Sequence, residues 1–449
     1  MRIGLARAVL AVGAAGLIAF AVAAAAAGVG NAGTSLGTSA WSGHLTADQV
    51  RVLSPDAHKR VIVMLRDQHP ALSGRQAGRS HAFATDRAPI VSQLRQLHVP
   101  RLVTYQTVNA IATTVSPEEA ANLRRDPAVL AVYPDALVKG PSPHTNLLRG
   151  VTRAVSRTPA SARSSSKAAV SGSALCGTAS APRLEPEALR LINADNRTNA
   201  SSPIKSGPKS AHSLGYTGAG VNIAVFPDGM DPNLPDFQRN GKSAITDYRD
   251  FSGEGPNAQT GGGEAFGDVS SLVSQGKTTY NLQQEINRDF ANPSHPCDVR
   301  VLGVAPGANV DVMKVFGVNN VSFTSVILQG IDWAIQHDHA DILSISIGFG
   351  GVPTSAALQP LTAILHNAMA NGTTVVASTG DSSPSNTESS PALDPGVIGA
   401  AASTSYRIWA QTNFFLYNLA QTIHKGGGTP SYHLGQVVEE DVGLREEPV

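Results

Sequence analysis

The chain has 449 residues, with 34 Lys and Arg balanced by 34 Asp and Glu. Single hydrophobic cores stop growing by roughly 250 residues, so one domain cannot account for this length. Charged residues make up only 15% of the chain and cancel in sign, which disfavours nucleic acid or an anionic surface as a partner.

At the start, Arg2 and Arg7 precede an apolar run from Ala8 to Ala27 that ends in small residues. This is the n-region, h-region and cleavage-site pattern of a signal peptide, so residues 1–28 are expected to direct export and to be removed. The alternative is a membrane anchor, since the run approaches the ~20 residues a bilayer requires, but its alanine content makes it weakly hydrophobic. Cys176 and Cys297 are compatible with one disulfide in an oxidising compartment or with two unpaired thiols, and neither has metal-ligand spacing.

The first folded unit is expected over residues 55–139. VIVML (61–65) has strand length and β-branched composition. A helix is predicted near Arg87 to Leu97, strand character over 102–115, and a second helix within 116–126, where Ser116 is a good N-cap and Glu118 and Glu119 favour the first turn. VLAVYPDALV (129–138) closes the unit. This order predicts a small ferredoxin-like α+β domain with helices on one face of an antiparallel sheet. Residues 140–217 turn to Ser, Ala, Pro and Arg and read as a flexible linker.

From Gly218 onward, apolar strands alternate with helices: VNIAVF (221–226), VRVLGVAP (299–306), VDVMKVF (310–316), a helix near 325–336, DILSISIGFG (341–350), a helix near 357–369 and TTVVAST (373–379). That alternation predicts an α/β domain, a doubly wound parallel sheet, over 218–417. Ligand chemistry in such sheets sits beyond the carboxyl ends of the strands.

Several segments resemble the subtilisin/sedolisin superfamily of serine peptidases. VIVML and VNAIATTVSPEEAANLRRDPAVLAVYPD (108–135) look like the inhibitory propeptide of subtilisin-type proteases. FPDGMDPNLPDF (226–237) resembles the aspartate segment, except that Pro227 stands where subtilisins hold the triad aspartate and Asp228 follows one residue later. GGGEAFGDVSSLVSQG (261–276) takes the place of the histidine motif, with Glu264 at the histidine position and Asp268 four residues on, the arrangement of sedolisins. The resemblance implies that Glu264 is the general base towards serine and that Asp268 supports it. The spacing suits this, because residues at i and i+4 stack about 5–6 Å apart on one helical face, where two carboxyls can share a proton and work in mildly acidic conditions. A solvated acidic helix start is the alternative.

VVASTGDSSPSN (375–386) resembles the oxyanion-hole segment and assigns Asp381, as a protonated carboxyl, the role of hydrogen-bond donor. SISIGFG (344–350) resembles the strand edge on which a peptide substrate pairs, pointing to Ser346 and Gly348.

The resemblance holds to SSPALDPGVIGAAAS (389–403), but the Gly-Thr-Ser-x-x-x-Pro turn that should supply the nucleophile is not found. GGGTPS (426–431) puts Pro430 at the serine position, and residues 418–449 form an atypical tail. The expectation is therefore a secreted serine-carboxyl endopeptidase precursor, C-terminally truncated and impaired by the missing serine, with a polypeptide substrate and its own propeptide as partners. No cofactor or metal, and no membrane contact after signal cleavage, is expected. Two other readings stand beside it: a non-catalytic peptide-binding or protease-inhibiting pseudoenzyme, and, last, a cation site formed by Asp228, Glu264 and Asp268.

Overall fold

The computed structural model describes residues 45–72, 77–140, 177–186, 188–198, 209–255, 264–281, 298–349, 355–380 and 388–401. Residues 1–28, Cys176, Cys297, Asp381 and the GGGTPS string lie outside them.

In the N-terminal unit, strands β1 (Lys59–Leu65), β2 (Leu102–Thr104), β3 (Ala110–Val115) and β4 (Val129–Pro134) form an antiparallel sheet in the order β2-β3-β1-β4. VIVML is continuously apolar because both of its faces are covered. Val61, Val63 and Leu65 pack with Ile90, Leu94 and Leu123, while the alternate residues Ile62 and Met64 enter the core shared with the C-terminal body. β3 follows the same rule, with Ile111 and Val115 towards the helices and the small Ala110 and Ala112 towards the body. Helix α1 (Ala47–Leu53) precedes the sheet, and helices α2 (Ala77–Gln96) and α3 (Pro117–Leu123) cover it. Helix α2 begins ten residues before the predicted Arg87, because Phe83 supplies a buried anchor in an otherwise polar stretch. Helix α3 starts as read, with the Ser116 hydroxyl accepting from the Glu119 amide at 2.9 Å.

The segment 129–138 is not one strand. After β4 the chain leaves the sheet, and β5 (Leu137–Lys139) pairs with a strand of the body.

The body is built on a six-stranded parallel sheet. Its strands are β6 (Asn222–Val225), β7 (Ile245–Asp250), β8 (Asn309–Lys314), β10 (Ile342–Ile345), β11 (Thr374–Ser378) and β12 (Ile398–Ala400), in the order β7-β8-β6-β10-β11-β12; β9 (Val321–Phe323) lies apart and receives β5. Helix α4 (Glu264–Val273) covers one face, where Ala265, Val269 and Val273 pack with Val225, Val310 and Val312. Helices α5 (Thr324–Gln336) and α6 (Gln359–Ala370) cover the other, through Ile331 and Ile364 against Ala224, Leu343 and Val375. The sheet is thus covered on both sides, which is why its central strands read as apolar runs. Strand β7 escapes a reading by periodicity because ITDYRD is polar and sits at the edge with only Ile245 buried.

Two expectations are corrected. VRVLGVAP contributes no strand to the main sheet: Asp298–Val301 pairs with Arg183–Glu185 and Tyr280–Asn281 in a separate three-stranded sheet. Much of 177–217, within the stretch read as a linker, is folded onto the body. Leu189 and Ala194 pack with Leu302, and His212 is held between the Asp195 carboxylate (2.8 Å) and the Val304 carbonyl (2.9 Å). Hydrogen bonds of a few residues hold this segment, and composition does not report them.

Candidate functional site

Three neighbouring central strands end in polar residues at one place. Lys314 is the last residue of β8, Asp228 lies three residues beyond β6, and Ser346 directly follows β10. Over this corner sits the start of helix α4, which opens with Glu264 and carries Asp268 one turn on. The structure therefore places Glu264 and Asp268 on one helix at the carboxyl ends of the strands, as their spacing predicts.

Asp228 is buried and acts on the helix itself. Its Oδ1 accepts from the Ala265 amide at 2.8 Å, and the Glu264 amide also bonds to this carboxylate. A carboxylate at a helix N-terminus satisfies amides that have no partner within the helix. Burial pushes the Asp228 carboxyl above its usual range, opposed by these amides and by the charge of Lys314. Where the sequence offered the residue only a place in a cation site, the structure makes it the anchor of the helix that carries Glu264 and Asp268.

Asp268 is pushed up from 3.8 to about 7, first by burial and further by the negative charge of Asp228, against the lowering effect of a hydrogen bond from Ser346. The Ser346 hydroxyl donates to Asp268 Oδ1 at 2.9 Å. A carboxyl of this kind exchanges a proton under mildly acidic to neutral conditions and can act as acid or base there. Ser346, read from sequence as part of a substrate edge, thus has its side chain committed to the acid pair.

Gly348, two residues on, has a steric reason to be glycine. A Cβ there would come within 2.7 Å of the Ser389 hydroxyl, and one on Gly380 (φ +92°) within 2.9 Å of it. Both glycines let two strand ends close around Ser389.

Lys314, fully buried, is the cation of the corner. Its Nζ bonds to the Ser252 hydroxyl and lies 3.4 Å from Asp250 and 3.5 Å from Glu254. Glu254 also accepts from the Val318 amide at 2.6 Å, so this lysine ties the loop after β7 to the loop after β8. Sequence reasoning passed over it because one Lys ending an apolar strand looks like a solvated strand end. Among the described residues no group of three or more His, Cys, Asp or Glu has the arrangement of a metal site.

A second feature escaped the sequence reading altogether. Strand β5 adds antiparallel to β9, with Leu137 opposite Phe323, Val138 opposite Ser322 and Lys139 opposite Val321, and the Gly140 amide continues to the Asn320 carbonyl at 2.9 Å. Val138 is buried in the body's core. An extended segment held by main-chain bonds, with alternate side chains in pockets, is how sheet edges receive peptides.

Around it the N-terminal unit is fastened by carboxylates. Asp135 Oδ1 accepts from the Ser325 amide at 2.8 Å at the start of α5, and Oδ2 meets Ser325 Oγ (2.7 Å), Arg60 (2.9 Å) and Arg101 (3.2 Å). Asp332, two turns further along that helix, accepts the amides of Gln106 (2.9 Å) and Thr107 (2.6 Å). The Tyr105 hydroxyl donates to the Ser325 carbonyl at 3.0 Å. The signal was present in GIDWA (330–334), where a carboxylate interrupts an apolar helix face.

Comparison with known proteins adds a family resemblance for the body. The chain is 29% identical over 202 residues to Subtilisin E of Bacillus subtilis (strain 168), covering 43% of this chain and 44% of that protein. It is 28% identical over 202 residues to Subtilisin of Bacillus pumilus, covering 60% of that protein. A longer match, 23% identical over 299 residues, relates 67% of this chain to 56% of the alkaline protease of Alkalihalobacillus alcalophilus. The chain spans about half the length of the curated relatives it matches. Residues 218–413, which include the parallel sheet and the carboxylate corner, match the model of the subtilase family.

Proposed function

We propose that the chain is the precursor of a secreted serine-carboxyl endopeptidase, a sedolisin-like variant of the subtilase pattern. Glu264 is the general base, Asp268 its proton partner and Asp381 the donor to the developing oxyanion. Residues 55–139 are an inhibitory propeptide of ferredoxin-like fold that docks on the peptidase body. The observation that carries this reading is the added strand: a segment of the chain itself lies on the β9 edge as a peptide would, with Val138 buried. The acid pair stands at the carboxyl ends of the strands of the same body, where ligand chemistry in a parallel sheet is placed.

In this mechanism the base takes the proton of a serine hydroxyl as it attacks the peptide carbonyl, and the pair returns it to the leaving amine. Burial of Asp268 keeps a proton on the pair under acid conditions, and a neutral Asp381 donates to the oxyanion where an ionised one would repel it. The second reading is a peptide-binding or protease-inhibiting protein built on the same body, favoured by the edge-added strand at β9. The test is digestion of a denatured protein substrate by the full chain from about pH 3 to 7, beside Glu264→Ala, a window that spans ordinary and raised carboxyl pKa values. Acid-range cleavage abolished by the substitution supports the peptidase; no cleavage at any pH leaves the binder. Secretion is tested by expression with residues 1–28 and N-terminal sequencing of the exported product. Among the described residues no helix is long and apolar enough to cross a membrane.

A further inference from the structure

Ser346 stands where two functions of the body meet. It directly follows β10 on the segment that ends at Gly348, and its hydroxyl donates to Asp268 Oδ1 at 2.9 Å across to helix α4. We infer that Ser346 is a positioning residue for the acid pair: its hydroxyl orients the Asp268 carboxyl and directs the exchangeable proton to the other carboxyl oxygen, Oδ2. This deepens, and rests on, the reading of Glu264 and Asp268 as a proton-sharing pair.

The argument is one of donors and acceptors. A carboxylate accepts only, and a neutral carboxyl keeps one accepting oxygen and one O–H. While the serine O–H occupies Oδ1, a proton taken up by Asp268 goes to Oδ2. A hydroxyl donating to the ionised form also lowers the pH at which the proton leaves. The groups that bear on this carboxyl come from three directions. Burial comes from the body itself, Asp228 from the loop after β6 and Ser346 from the end of β10; Lys314, on β8, acts through Asp228, and Glu264 lies one turn earlier on the same helix. Asp228 raises the Asp268 pKa, and Ser346 is the group among them that lowers it directly. Ser346 thereby ties the proton state of the pair to the strand end on which a peptide is proposed to pair.

The test needs no turnover. The full chain carrying aspartate labelled with carbon-13 at the side-chain carboxyl is titrated by NMR from about pH 4 to 9, and the Asp268 signal is identified by its loss in Asp268→Asn. Removing the donor in Ser346→Ala is expected to raise the Asp268 midpoint by about one pH unit, and Ser346→Thr, which restores a hydroxyl, to return it. A midpoint in Ser346→Ala within about 0.2 pH unit of the parent, or a Thr variant that titrates like the Ala variant, overturns the assignment. Failure of the chain to cut a peptide bears on the peptidase reading and leaves this measurement untouched.

Discussion

At the docking face, Asp135 meets two guanidinium groups, a hydroxyl and a helix amide, and Asp332 takes the amides of two consecutive residues. At the carboxyl ends of the central strands, Asp228 is held by helix amides and Asp268 by one hydroxyl. Both regions bury carboxylates against helices of the same body, and the difference lies in how fully the charge is compensated. Burial raises the Asp332 carboxyl even against two amides and the Arg87 charge, while at Asp268 a single hydroxyl opposes it and the proton is held up to about 7. One sheet thus supports both a structural joint and a titrating corner.

The comparison breaks most visibly at Asp135. Asp135→Ala leaves Arg60 and Arg101 facing each other without the carboxylate between them, and removing one partner of a buried charge cluster costs about 3–5 kcal/mol. The expected outcome is a lower urea midpoint and faster proteolysis between the N-terminal unit and the body. A midpoint equal to the parent's would show that the joint is held by apolar contact alone.

Next in size is the pH dependence contributed by Asp268. Its folded pKa lies above its unfolded value, so the folded state binds the extra proton between 3.8 and about 7. Its contribution favours folding below that window and is lost as pH rises through it. The expected loss is on the order of 2–4 kcal/mol between about pH 4 and 8, and Asp268→Asn, which carries no titrating proton, flattens that part of the stability profile. Denaturant melts across this range check it, and an unchanged slope in the variant would assign the titration to another group.

The smallest effect sharpens the comparison. Asp332→Asn keeps an acceptor for the Gln106 and Thr107 amides but removes the charge, costing about 1–2 kcal/mol. Faster hydrogen exchange confined to those two amides and their neighbours is expected. Exchange that rises across the whole N-terminal sheet would instead make Asp332 a fastener as strong as Asp135.

Much of the scaffold was legible in the chain. VIVML, VNIAVF and TTVVAST announce buried strands, and Ser116 followed by two glutamates announces a helix start, because these signals are local and periodic. Glu264 and Asp268 could be paired on paper for the same reason: four residues along a helix fix their proximity. The polar edge strand β7, the ordered segment around His212 and the departure of β5 from its sheet were not legible, since each depends on partners far away in sequence.

By itself the sequence determined the alternation of strands and helices, the apolar faces and the spacing of the acid pair, because side-chain periodicity and helix geometry are properties of neighbouring residues. Tertiary structure decided that Asp228 anchors the acid helix, that Ser346 reaches Asp268, and that the added strand β5 buries its Val138 in the body. Each is a contact across many residues, and both the donor a carboxylate finds and the water it loses are fixed only when distant elements meet.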